Sequence, residues 1–256
     1  MGIILCRNPG GISKYRSSAK AAVQAAGTTG ITINVPAGVQ DGDLLLVFIL
    51  RADDDGTTAL TNASWVNFLS ASSSTGNDRR LSGNGRIAAS EPASYTFTND
   101  AAASINMAGI MLAIRSPYPN PTFVAATLTD ASTPGTHTSN DFTPPMPAMT
   151  VVQSGVIVVA VHGASMDNGV TGKTGGAPSG MTLVDYTESV AGAAFGAFIE
   201  VAYQENVPAG AFGTASWTGT ANDATSEATC ANRSFRTSDA KSGNAMPVAQ
   251  MQAANW

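Results

Sequence analysis

The sequence predicts an all-β chain: an antiparallel, jelly-roll-like β-sandwich built from two quasi-repeated six-strand halves, preceded by a short basic N-terminal arm. Three observations carry this. From residue 29 onward, short β-branched and aliphatic runs alternate with clusters of Gly, Pro, Asn, Asp and Ser, and no long amphipathic helix interrupts them. Ala, Gly, Ser and Thr make up nearly half of the 256 residues, which suits thin, tightly turned layers. The run of strand signals also occurs twice along the chain.

Taken in order, residues 1–28 form the arm. Within it the stretch SKYRSSAKAAVQAA, from Ser13 to Ala26, is rich in helix formers and predicts a short helix stopped by Gly27. The first half, 29–118, predicts strands near 31–35, 43–50, 65–71, 80–89, 94–98 and 108–115. The run 44–50 is apolar throughout, as expected of a strand covered on both faces. In 94–98 strict alternation puts Tyr95 and Phe97 on one face. The second half, 119–236, predicts strands near 136–142, 155–162, 181–188, 194–204, 213–218 and 228–236. GDLLLVFI from Gly42 matches GVIVVAV from Gly155, and WVNFLS from Trp65 matches MTLVDY from Met181. A polar tail, 237–256, ends in Trp256, an aromatic that predicts a contact with the domain or a neighbour.

Charge narrows the function. The first 40 residues carry Arg7, Lys14, Arg16 and Lys20 and no acid, so they hold +4 while the rest holds −9, for −5 overall. An acidic chain with four lysines is a poor nucleic-acid binder, because phosphate neutralisation is the main source of that affinity. No apolar run approaches the roughly 20 residues of a membrane helix, and no secretory signal stands at the start. Cys6 and Cys230 sit at opposite ends and read as free thiols of a protein made in a reducing cytoplasm. Only 12% of residues are charged, against roughly 25% in an ordinary soluble domain.

No motif names a reaction. Gly172-Lys-Thr174 has the tail of a phosphate-binding loop but Asp167 where the first Gly belongs, and Gly83-Asn-Gly85-Arg-Ile-Ala88 lies among strands with no helix after it. His137 and His162 belong to no metal-ligand spacing, and Gly176-Ala-Pro-Ser-Gly180 is not a nucleophile elbow. Glu91, Glu188, Glu200 and Glu205 could pair for glycoside hydrolysis, but Glu200 reads more simply as a solvated strand carboxylate. Asp53, Asp54 and Asp55 form the densest acidic cluster. They are weak metal candidates, since consecutive acids lack the alternation of a calcium loop. Trp65 and Trp217 read as core aromatics. No cofactor is expected.

The segment VPAGVQDGDLLLV from Val35, with Trp65, SEPASYTFT from Ser90 and Ala113-Ile-Arg115, resembles a module of tailed-bacteriophage virion proteins. The resemblance spans roughly 29–235 and implies a non-enzymatic β-sandwich repeated on the particle exterior, as a capsid decoration or cement protein or a tail or fibre component. It brings no catalytic residues. It implies major capsid or tail proteins as partners, a homo-oligomer, and a virion location. The arm is peculiar to this sequence, and Arg7, Lys14, Arg16 and Lys20 are its candidate contacts to an acidic neighbour. The competing expectation is a carbohydrate-binding or adhesin module for host-surface glycans, using Tyr186, Tyr203 or Trp217.

Overall fold

The structure is a computed structural model that describes residues 13–25, 29–52, 60–73, 79–98, 105–116, 121–122, 128–131, 135–137, 143–152, 154–167, 174–189, 195–213, 215–220, 227–235 and 238–239. Every regular element among them is a strand. In chain order these are β1 (Lys14–Ala25), β2 (Gly30–Asn34), β3 (Leu44–Ala52), β4 (Val66–Ser73), β5 (Arg79–Ile87), β6 (Ser94–Thr98), β7 (Ile105–Arg115), β8 (Pro121–Thr122) and β9 (Leu128–Ala131). They continue as β10 (Gly135–His137), β11 (Met149–Val151), β12 (Val156–Asp167), β13 (Thr182–Glu188), β14 (Phe195–Val207), β15 (Gly210–Phe212), β16 (Glu227–Phe235) and β17 (Ser238–Asp239). All pairings are antiparallel.

Two larger sheets dominate a β-sandwich-like fold. One runs β1-β7-β3-β5-β4; the other runs β10-β16-β12-β14-β13, with β9 also on β16. Two-stranded ribbons, β2-β6 and β11-β15, complete the layers, and β8 pairs β17. The two sheet orders correspond position for position: β3 and β12 are central, each between a later strand (β7, β16) and the strand that β4 or β13 extends.

Strand β3 explains the layering. All nine of its residues are buried. Leu44, Leu46, Phe48 and Leu50 face a core shared with Ile157, Val159, Val161, Ile199 and Val201 of the second sheet. Leu45, Val47 and Ile49 face the other way, onto Ile31, Ile33, Tyr95 and Phe97 of the β2-β6 ribbon. A period-two strand can be apolar on both faces only if both are covered, and each such side chain contributes about 1.5–3 kcal/mol of burial. The second sheet has its own outer cover. Met149, Val151, Val156, Val158 and Val207 form one cluster there, and Met146, Ala160, Ala202 and Trp217 another. Glycine permits close approaches between layers: a Cβ on Gly163 would lie 2.7 Å from Leu50 Cδ1, and one on Gly109 would lie 2.6 Å from Ile33 Cδ1.

The N-terminal region differs from expectation. Residues 14–25 form strand β1, not a helix. The strand is in register with β7 from Lys14↔Arg115 to Ala25↔Ile105. Helix propensities of Ala, Lys and Gln differ from those of other residues by tenths of a kcal/mol, too little to outweigh a complete ladder on a ready sheet edge. Strand boundaries shift elsewhere too. The strand expected at 136–142 is described only as β10, and 138–142 lie outside the described residues. The one expected at 213–218 lies earlier, as β15, while the short β11 carries too few residues to show a period.

Candidate functional site

The least expected group lies in the middle of the second sheet. His162 on β12 stands directly opposite Glu200 on β14. His162 Nδ1 and Glu200 Oε1 are 2.7 Å apart, and both side chains are 0% exposed. The N–H of Gly176 donates to Glu200 Oε2 at 2.9 Å. Phe198 and Trp217 flank the imidazole, with ring centroids at 6.1 and 5.6 Å. Glu200 is therefore not the solvated strand carboxylate its sequence context suggests. A buried polar group needs hydrogen-bond partners, and here register supplies a histidine and the Gly176 loop a backbone donor. The pair has the elements of an acid–base dyad. Both side chains are sealed at 0% exposure, and their contact links β12 to β14.

A second cluster joins β1 to the body. A bulge at Tyr15/Ser17 leaves Arg16 outside the ladder, the irregularity that re-aims a side chain. Arg16 Nε reaches Asp43 Oδ2 at 2.9 Å, and its NH1 donates to the Gly38 carbonyl at 2.7 Å. Asp43, 1% exposed, also accepts from Arg115 Nε at 3.0 Å and from the Gln40 N–H at 2.9 Å. Burial raises the Asp43 pKa above its ordinary value, against the lowering pull of the Gln40 N–H and the Arg16 charge. Lys20 Nζ meets Asp185 Oδ1 at 2.8 Å, donates to the Tyr186 carbonyl at 2.9 Å and lies 5.4 Å from the Tyr186 ring centroid. The Tyr15 N–H donates to Glu205 Oε1 at 2.7 Å, and the Tyr15 ring stacks on Tyr203 at 4.7 Å. Burial, then Glu205 and Tyr15, raise the Tyr203 pKa.

A third cluster closes the β2-β6 ribbon over the first sheet. Arg86 NH1 donates to Tyr95 Oη at 2.7 Å, Tyr95 donates to Glu91, and Arg86 NH2 sits 3.3 Å from Glu91 Oε1. The guanidinium also lies over the Trp65 ring at 5.9 Å. Burial, aided by Glu91, pushes the Tyr95 phenol up to about 12.

Of the arm residues, Lys14 is exposed at the start of β1, while Arg16 and Lys20 make these contacts within the chain. Arg7, Trp256 and Asp53, Asp54 and Asp55 lie outside the described residues. No group of three or more His, Cys, Asp or Glu suited to a metal ion occurs among the described residues, and no described helix is long and apolar enough to cross a membrane. Of the four glutamates weighed for glycoside hydrolysis, Glu91 and Glu205 hold Tyr95 and β1. Trp65 and Trp217 are 7% and 1% exposed, as core aromatics should be, so Trp217 offers no platform for a sugar. Tyr203 lies beneath Tyr15 and Tyr186 faces Lys20. Sequence reasoning missed Asp43 altogether. Its one signal is an acid between Gly42 and a wholly apolar strand, where burial demands a cation. No family of known proteins, no curated protein and no solved structure matches this chain.

Proposed function

We propose that this chain is a non-enzymatic structural subunit of a bacteriophage virion exterior, a capsid decoration or cement protein or a tail or fibre component. It is made in the host cytoplasm and assembles as a homo-oligomer against major capsid or tail proteins. The observation that carries the reading is what the fold does with its ionisable side chains. His162–Glu200, Arg16–Asp43–Arg115, Lys20–Asp185 and Arg86–Glu91 each tie one strand, turn or layer to another. Such ties favour a rigid, durable subunit. The low charge and the abundance of small side chains fit the same role.

The proposal extends to architecture. We read 29–118 and 119–236 as two quasi-repeated six-strand halves with β2–β7 and β11–β16 as corresponding strands, jelly-roll-like in that β2 and β6, like β11 and β15, leave the larger sheet to pair as a ribbon. The matching sheet orders support this, with β1 on β7 corresponding to β9 and β10, which each pair with β16. Immunogold electron microscopy on purified particles of the encoding phage, with antibody against this chain, tests the function. Gold on the head makes it a decoration or cement protein, and gold on the tail or fibres makes it an appendage. Absence of gold from intact and disrupted particles overturns the virion reading.

A further inference from the structure

We propose that β1 is an exchangeable strand: in the assembled state it leaves its own β7 and pairs with β7 of a second copy of this chain. The inference rests on the assembling-subunit reading above and names the surface through which copies join.

Four observations converge. First, among the described residues β1 is an edge strand hydrogen-bonded on one flank only, so its departure breaks no other described strand pairing. Second, its sequence KYRSSAKAAVQA favours helix, in conflict with its place in a sheet. A released β1 therefore loses less than a strand of Val and Ile would. Third, none of its side chains from Lys14 to Val23 is fully buried, whereas every residue of β3 is. Fourth, its socket is chemically complementary. Asp43, Asp185 and Glu205 of the body receive Arg16, Lys20 and the Tyr15 N–H, and Tyr203 receives the Tyr15 ring.

The occupant follows from these contacts. A vacated β7 presents a row of unpaired N–H and C=O groups beside Met107, Ala108 and the buried run 110–114, a template for strand addition. Full complementarity needs a basic side chain at the bulge, a second cation four residues on and an aromatic just before the bulge. A second copy of β1 supplies all three in the same register, so exchange conserves every described pairing, and the balance between closed and exchanged forms rests on concentration.

The test uses the purified full chain with Cys6→Ser and Cys230→Ser, carrying Ala22→Cys and Ala108→Cys at directly opposed positions. The protein is incubated reduced at several concentrations, oxidised, then denatured. Exchange yields disulfide-linked dimers whose fraction rises severalfold with concentration during incubation. Disulfides confined to single chains at every concentration overturn the proposal. If that variant does not fold, Lys14→Cys with Arg115→Cys, at two exposed opposed positions, gives the same readout. Particle labelling without linked dimers removes strand exchange alone, whereas linked dimers without labelling remove the virion reading and leave exchange standing.

Discussion

At the scale of residues, the buried ionisable groups make the sharpest predictions. Removing one partner of a buried hydrogen-bonded pair leaves the other unsatisfied, which costs about 1–3 kcal/mol. Glu200→Ala strands both His162 and the Gly176 N–H, so its urea midpoint should fall accordingly. The double variant with His162→Leu should lose less than the sum of the two single losses; simple additivity would mean that the pair is not a unit. Asp43 makes a prediction about pH. Burial raises its folded-state pKa above the ordinary 3.8, so just above pH 3.8 the folded chain binds more protons than the unfolded chain. The contribution of Asp43 to stability then grows as pH falls through the raised value and shrinks as pH rises. The stability difference between the wild type and Asp43→Asn should therefore shift toward the wild type between pH 7 and 4. The opposite slope would mean that Arg16 and Arg115 outweigh burial. Tyr95 acts at the alkaline end. With its phenol pushed up to about 12, its contribution is complete below pH 10 and lost as pH rises through 12. Two units correspond to roughly 2–3 kcal/mol. Tyr95→Phe should flatten the loss of stability between pH 10 and 12 and remove the highest step from a phenolate absorbance titration.

At the scale of elements, glycine contacts separate flexible neighbours from rigid ones. The nearest atoms to a Cβ on Gly163 belong to the Leu50 side chain, which can turn aside, so Gly163→Ala should cost about 1–3 kcal/mol by overpacking. A Cβ on Gly176 would lie 2.5 Å from the carbonyl carbon of Thr218 and 2.6 Å from the Gly219 nitrogen, and backbone cannot rotate away. Gly176→Ala should therefore destabilise more than Gly163→Ala, and thermal melts of the two variants decide the order. Elements also mark how far the sequence is legible. Strands β2 to β7 can be read because each has its own signal, such as the unbroken apolar run of β3 or the alternation of Tyr95 and Phe97 in β6. Strand β1 cannot, because its residues favour a helix and only the β7 edge makes it a strand. The His162–Glu200 pair was visible as two residues but not as a pair. Thirty-eight positions separate them, and the register that joins them is a tertiary fact. The useful signal was the context of His162, a polar residue continuing the apolar run 156–161, which burial obliges to find a partner.

At the scale of the whole molecule, the core shared by the two sheets decides whether the halves can live apart. Leu50 of β3 fills the space over Gly163 of β12, and Phe48, Leu46 and Leu44 share one cluster with Ile157, Val159, Val161, Ile199 and Val201. Separating the sheets would expose this face of both at once. Lys20–Asp185 and Tyr15–Tyr203 fasten the edge of the first sheet to the second as well. The proposed role as a virion subunit would use this arrangement, since a particle surface must resist local opening. The physical consequence is cooperativity. Scanning calorimetry of the full chain should give one transition whose calorimetric and van 't Hoff enthalpies agree. A fragment comprising 1–118 keeps β1 to β7 and the β2-β6 cover, yet it presents the bare leucine face of β3 to water. Such a face is large enough to drive association, so the fragment should aggregate or bind hydrophobic dyes strongly. Two resolved transitions in the full chain, with a monomeric and well-folded fragment, would show that the sheets are independent modules and that the shared core adds little.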